Sequence, residues 1–211
     1  MTTLSVFDDR VRRTISVTDP GGRMTRQDTF GVEFPAAIAA ARHRAPWALE
    51  LIYTTLAPAV AGMLRVQGAA EPDDLTSEVF VGVLRNLDAF EGDEAAFRAW
   101  VFTIAYRRLA DERRRTRRRP PAVPFDEHAD IASSVDVEAD VSRALATERV
   151  RRLCDRLAPA QRDVLMLRLF GRLTVTEVAR VLETSPSAVK SLQRRGYATL
   201  ARMVQSEGVT P

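Results

Sequence analysis

The stretch Leu173–Met203, LTVTEVARVLETSPSAVKSLQRRGYATLARM, decides how this 211-residue chain is read. Thr174 and Glu177 have the T-x-x-E spacing of a capping box, and Leu173 and Val178 occupy the staple positions, so a helix start is specified at Thr174. About two turns later, ETS breaks the pattern: Ser185 is a good N-cap, and Pro186 suits the first turn of a second helix. Ala179 sits at the small position where the two helices must approach closely, and Val189 gives the second helix an apolar anchor. Helix, tight turn and helix in this spacing present the second helix to the major groove of duplex DNA. In that reading Ser185, Ser187, Ala188, Ser191 and Arg194 face bases or phosphates, while Lys190, Arg194 and Arg195 supply charge. The alternative is a helical hairpin with a solvated arginine face. Capping box, small residue, Ser-Pro start and basic second helix coincide, which favours DNA.

Upstream of this motif, Pro159 opens a further helix that Gly171 can close, and Val141, Ala144, Leu145, Leu153 and Leu157 carry helical spacing. A carboxyl-terminal domain over residues 141–211 is expected, with helices near 141–156, 159–170, 174–182 and 186–204. Before it, PPAVPFDEHADIASSVDVEAD holds three prolines and six acids with little apolar periodicity, so residues 120–140 are expected to form an acidic flexible linker. An amino-terminal domain fills residues 41–119. Leu49, Tyr53, Leu56, Val60 and Leu64 form one apolar stripe, and Leu75, Val79, Val83 and Leu87 a second, begun by Pro72, Asp73 and Asp74. Phe97, Trp100, Val101, Ile104 and Ala105 start a third helix, which Pro120 and Pro121 stop. Residues 1–40, which include TDPGGRMT, lack sustained periodicity and are expected to be a flexible extension. No strand pattern of useful length occurs, so the fold class is all-α: two small helical domains joined by a linker, the second containing a helix-turn-helix.

Charge is distributed in blocks. Residues 46–106 carry three arginines and nine acids, residues 107–119 eight arginines and two acids, residues 120–140 six acids and no lysine or arginine, and residues 149–204 twelve bases and four acids. Alternation of this kind suits two partners, a basic protein surface and a nucleic acid. Thirty arginines against the single Lys190 also fit a GC-rich coding bias, so position counts for more than number. The arginines after Tyr106 occupy all sides of their helix, as expected of a projecting phosphate-binding end; the alternative is a solvated basic face. Trp100 is read as core. Phe102 and Tyr106 fall on a different face and are left open between packing and stacking on unpaired bases. Asp74, Glu78 and Arg85 share a face of the second helix, and taken alone that face is read as helix-dipole complementation and solvation.

One cysteine, Cys154, excludes a disulfide framework and is expected in the core; with only His43 and His128 there is no convincing metal or Cys/His catalytic set, so neither a cofactor nor an enzyme is expected. No apolar run long enough to span a bilayer and no secretory signal are found, so a cytoplasmic protein without a membrane partner is expected.

In order, these segments resemble the bacterial RNA polymerase sigma factors, specifically the small extracytoplasmic-function (ECF) group. AEPDDLTSEVFVGVLRNLDAF is similar to the segment by which that family binds core polymerase, FRAWVFTIAYRRLADERRR to the part that opens and reads the -10 element, and residues 157–196 to the domain that reads the -35 element. The resemblance implies polymerase contacts at Asp73, Asp74, Glu78, Phe80 and Val81. It implies that Phe90, Glu91, Gly92, Asp93, Glu94, Phe102, Tyr106 and Arg107 hold melted -10 bases, that Arg113, Arg114, Arg115, Arg117 and Arg118 grip DNA phosphates, and that Ser185, Ser187, Ala188, Lys190, Ser191, Arg194 and Arg195 meet the -35 element. Core RNA polymerase and promoter DNA are the implied partners, with an anti-sigma factor a further candidate. The implied function is promoter recognition, DNA melting and transcription initiation; the rival is a stand-alone helix-turn-helix regulator. Departures are Tyr106-Arg107 where the family commonly has Arg-Asn, Glu183 where glycine is usual, Ser187-Ala188 in place of a frequent Gly-Thr, and Leu192-Gln193 in place of Arg-Leu. The first forty residues have no counterpart in the shortest members.

Overall fold

The computed structural model describes residues 30–118 and 150–206. The expected linker at 120–140, Arg119 and the helix expected near 141 lie wholly or mostly outside these residues. Among the described residues the chain is helical throughout: α1 (Phe34–Arg42), α2 (Pro46–Val66), α3 (Pro72–Arg85), α4 (Glu94–Arg118), a helical segment at 150–155, α5 (Pro159–Leu169), α6 (Val175–Val181) and α7 (Pro186–Ser206).

The flexible extension expected over residues 1–40 is corrected from Phe30 onward. Residues Gly31–Glu33 form a 3-10 turn that leads into α1, and Phe30, Phe34, Ala37, Ile38 and Ala41 are buried. Phe30, Phe34 and Ile38 stand four residues apart, and alanines, the strongest helix formers, fill most of the remaining positions. Gly31 and Pro35 broke up that spacing in the sequence. The backbone N–H groups of Phe30 and Gly31 donate to the Glu94 carboxylate at 2.8 and 3.2 Å, so this segment is pinned to the start of α4.

In α2, Leu56, Val60 and Leu64 are buried as their stripe requires, but Tyr53 points outward, 44% exposed, with its ring edge against Phe80. Against the expectation of no span, α2 is long and apolar enough to cross a bilayer by length and composition alone. Its buried residues, among them Ile52, Leu56, Val60, Met63 and Leu64, belong to the protein core. The stripe Leu75, Val79, Val83 and Leu87 packs as expected. Phe97, Val101, Ala105 and Leu109 form the inner face of α4, and Trp100 is half-buried, stacked on Phe90 with centroids 5.2 Å apart. Asp93 Oδ1 accepts from the Ala96 N–H at 2.7 Å and caps this helix. Beyond Leu109 nothing on α4 is buried, and residues 114–118 are exposed, so its basic end projects past the core.

The carboxyl-terminal helices follow their sequence signals. Thr174 caps α6 through a complete capping box: its Oγ1 accepts from the Glu177 N–H at 3.3 Å, and its own N–H donates to Glu177 Oε2 at 2.6 Å. Ser185 caps α7 by accepting from the Ala188 N–H at 3.2 Å. Cys154 is buried as a free thiol, and burial pushes its pKa up. After α5 the left-handed residue is Arg172, φ 53°, one position past the expected Gly171; Gly171 is needed for space, since a Cβ there would lie 2.6 Å from the Leu167 carbonyl oxygen.

Glu183, in the turn between α6 and α7, has φ 52°. A left-handed conformation costs a residue with a Cβ about 1–2 kcal/mol, part of which glycine gives back as chain entropy. Glu183→Gly is expected to raise the stability of the carboxyl-terminal domain by about 1 kcal/mol, seen as an upward shift of its thermal midpoint by a few degrees. An unchanged or lower midpoint would show that the turn is not strained.

Candidate functional site

Three surfaces gather the residues singled out in the sequence. The first is the outer face of α3. Asp73, Asp74 and Glu78 are exposed; Asp73 pairs with Arg65 across to α2, and Glu78 lies 3.6 Å from Arg108. Val81 is 46% exposed one turn further on, beside the acids. Phe80 is corrected: it is buried, because the ring turns inward against Tyr53. Tyr53 therefore joins the apolar part of this surface, which periodicity had assigned to the core.

The second is the recognition helix. Lys190, Arg194 and Arg195 are exposed, and Lys190, Gln193 and Arg194 line a groove with Arg168, Val175 and Tyr197. Gln193 faces this groove, whereas Leu192 packs on the core, which resolves the Leu-Gln departure. Arg168 and Tyr197 were missed by sequence reasoning; Tyr197 stands seven residues after Lys190 on the same face, and that spacing was the available signal. The Ser185 hydroxyl is committed to capping and lies 2.9 Å from that of Ser187.

The third is the face of α4 and the loop before it, and here the expectations need most correction. Phe90 is buried, stacked on Trp100 and edge-on to Phe97, so its ring is a core ring rather than a base-holding one. Asp93 and Glu94 are used in capping α4 and pinning the Phe30 segment; Glu91, Gly92 and Asp93 are exposed, and of these Glu91 and Gly92 are not engaged in the cap. Phe102 is 0% exposed. What covers it is the other domain: a Cβ on Gly171 would come 3.2 Å from its ring.

The same neighbour takes Tyr106. Its hydroxyl donates to Asp163 Oδ2 on α5 at 3.0 Å, Gln67 Nε2 donates to Asp163 Oδ1 at 3.0 Å, and Arg113 Nη1 lies 3.6 Å from that oxygen. Arg113 also donates to the carbonyl and Oε1 of Gln67, so it is an internal tie and not a free phosphate contact. Arg114 pairs with Asp111 and, chiefly through that hydrogen bond, holds the Asp111 carboxyl below its ordinary range. Arg115, Arg117 and Arg118 are exposed, and Arg107 reaches 3.9 Å from Glu183.

Burial first, then the Asp163 carboxylate, pushes the Tyr106 phenol from 10.0 up to about 12. A raised folded-state value means that the protonated phenol stabilises the folded form; this contribution is complete below pH 10.0 and lost as pH rises through about 12. Alkaline unfolding followed by circular dichroism, with phenolate absorbance read in parallel, should show this limb in the native chain and not in Tyr106→Phe.

Comparison with known proteins joins the two halves. A family described as Sigma-70 region 2 matches residues 52–119, and one described as Sigma-70, region 4 matches residues 147–200. RNA polymerase sigma factor NccH of Alcaligenes xylosoxydans xylosoxydans is 31% identical over 143 residues, which are 66% of this chain and 76% of that protein. The chain belongs to the ECF sigma factors. ECF RNA polymerase sigma factor BldN of Streptomyces coelicolor is 36% identical over 147 residues, 68% of this chain but only 54% of BldN, so the match spans about half of that relative's length. ShbA of Streptomyces griseus subsp. griseus is 33% identical over 63% of this chain and 71% of its own. CnrH, solved in complex with the cytosolic domain of CnrY, shares the fold with a TM-score of 0.60 at 23% identity, covering 81% of this chain and 96% of CnrH. Sigma factors direct RNA polymerase to promoters and are not an enzyme family. Membership in this family decides against the stand-alone regulator.

Proposed function

We propose that this ECF sigma factor works with two helical domains, residues 30–118 and roughly 141–206, of which the first binds core polymerase and the second the promoter duplex. The observation that carries this reading is the segregation of opposite surfaces: acids with Val81 and Tyr53 on the outer face of α3 and α2, and a basic groove along α7. The acidic face suits a basic protein surface, with the exposed apolar side chains supplying buried area at its centre. Lys190 and Arg194 with Arg168 would meet phosphates of the -35 duplex, and the start of α7 its base edges. Tyr106 and Arg107, with Glu91 and Gly92, remain the candidates for separated -10 bases, and Arg115, Arg117 and Arg118 for phosphates upstream. The chain performs no chemistry of its own in this reading, and polymerase as its partner places its action in the cytoplasm. CnrH was solved with the cytosolic domain of CnrY bound, and an anti-sigma protein is the corresponding candidate partner here.

The test is run-off transcription with purified core polymerase on a library of genomic fragments. Discrete transcripts that require both proteins are expected; their absence on every fragment would sink the reading.

A further inference from the structure

We propose that residues 30–44 brace the loop that presents Glu91 and Gly92, and that Arg42 is a positioning residue for the unpaired bases of the -10 element. The proposal deepens the reading above and rests on it for the role of that loop; the brace itself is a property of the free chain.

The connection from α3 to α4 holds a 3-10 turn at Leu87–Ala89, Phe90 in extended conformation, and Gly92 with φ 145°. Its shape is carried by backbone groups, so whatever holds those groups decides where Glu91 points. They are held from far away in sequence. At the end of α1 the Arg42 guanidinium donates from Nη2 to the Phe90 carbonyl, and Arg44 Nη1 donates to the Leu84 carbonyl in the last turn of α3 at 3.0 Å. Arg44 has φ 59°, unfavourable for a residue with a Cβ, at the corner from which both arginines reach this connection. At the other end the Phe30 and Gly31 amides take both oxygens of Glu94, at 2.8 and 3.2 Å. A guanidinium on a carbonyl and a carboxylate on two amides are charge-assisted bonds, stronger than neutral ones.

The start, middle and end of the connection are thus tied to one segment. Inside it there is little slack: the Phe90 ring is buried against Phe97 and Trp100, and a Cβ on Gly92 would lie 2.8 Å from the Ala96 Cβ. Holding an unpaired base requires placement to within about 0.5 Å. The acidic face of α3 and the groove along α7 do not depend on these ties. Loosening the brace is therefore expected to weaken the grip on separated strands and leave the other two surfaces unchanged.

Arg42→Met keeps the apolar stem and removes the donor, and Glu94→Gln weakens the opposite end. Hydrogen exchange of the full chain, read by mass spectrometry, needs no promoter. Peptides covering residues 86–94 should exchange several-fold faster in both variants than in the native chain, with peptides of α7 unchanged. Holoenzyme formed with core polymerase is then titrated with two probes cut from a fragment that yields a transcript: the non-template single strand across its melted region, and the duplex upstream of it. Affinity for the single strand should fall several-fold in both variants, because part of one base contact is lost. Affinity for the duplex and for core polymerase should stay native.

Unchanged exchange of residues 86–94 in both variants would overturn the brace. Faster exchange with native single-strand affinity would overturn the positioning role. So would a weaker single-strand complex whose salt slope is smaller by about 0.7 in Arg42→Met, which would make Arg42 a direct phosphate contact. If no fragment yields a transcript, the sigma reading and the positioning role fall together, while exchange still reports on the brace alone.

Discussion

Phe97→Ala is expected to lower the stability of the amino-terminal domain by about 3–5 kcal/mol, the usual range for deleting a fully buried phenyl ring. Phe97 is 0% exposed at the centre of an aromatic cluster, with ring centroids 5.1 Å from Phe90, 5.7 Å from Phe34, 5.8 Å from Trp100 and 6.3 Å from Phe30. These neighbours come from three places in the chain, the 30–34 segment, the loop at Phe90 and α4 itself, so none can collapse into the hole without dragging its own backbone. A loss of that size is a large share of the roughly 5–15 kcal/mol that holds an ordinary domain together. Urea unfolding followed by circular dichroism and by the fluorescence of Trp47 and Trp100, which lie on α2 and α4, should show the amino-terminal domain melting first. Phe97→Leu, which keeps most of the volume, should cost far less. A loss under about 1 kcal/mol for the alanine variant would mean that the cluster is not the centre of the domain.

Asp74→Arg combined with Glu78→Arg is expected to reduce transcription with core polymerase at least about tenfold at sub-saturating protein, while the far-ultraviolet spectrum stays native. Both side chains are exposed on α3, four residues apart, with Val81 a further turn along. Against a basic partner, reversal turns two attractions into two like-charge contacts, and about 1.4 kcal/mol suffices for a factor of ten. The effect on folding should be small. Position 74 loses a favourable charge at the N-terminus of α3, worth about 0.3–1 kcal/mol, and position 78 loses an exposed pair with Arg108. Undiminished transcription by the folded variant would remove the acidic face from the polymerase contact.

Local signals were the legible ones. The capping box of Thr174 and Glu177, the Ser185 cap and the 75, 79, 83, 87 stripe are each written within one helix or turn, and the structure forms them as read. What failed depends on partners distant in sequence. Phe102 is buried by a turn around Gly171, and nothing near Phe102 announces that. Arg113 reads as a phosphate ligand until Gln67 and Asp163 are found beside it. Phe80 and Val81 are adjacent, about 100° apart around the helix, and spacing alone does not announce that Phe80 is buried beside Tyr53 while Val81 stays exposed. Glu94 looks like a loop acid, and its use is to hold amides 63 and 64 positions earlier.

That last contact bears on where the inherited unit begins. The family match opens at residue 52, yet two rings beside Phe97 belong to residues 30 and 34. A fragment trimmed to the matched span would remove both phenyl rings and leave a void on that side of the aromatic cluster. The segment before the recognised module is thus part of the packing of this domain, and in this chain its loss would leave Phe97 uncovered on one side.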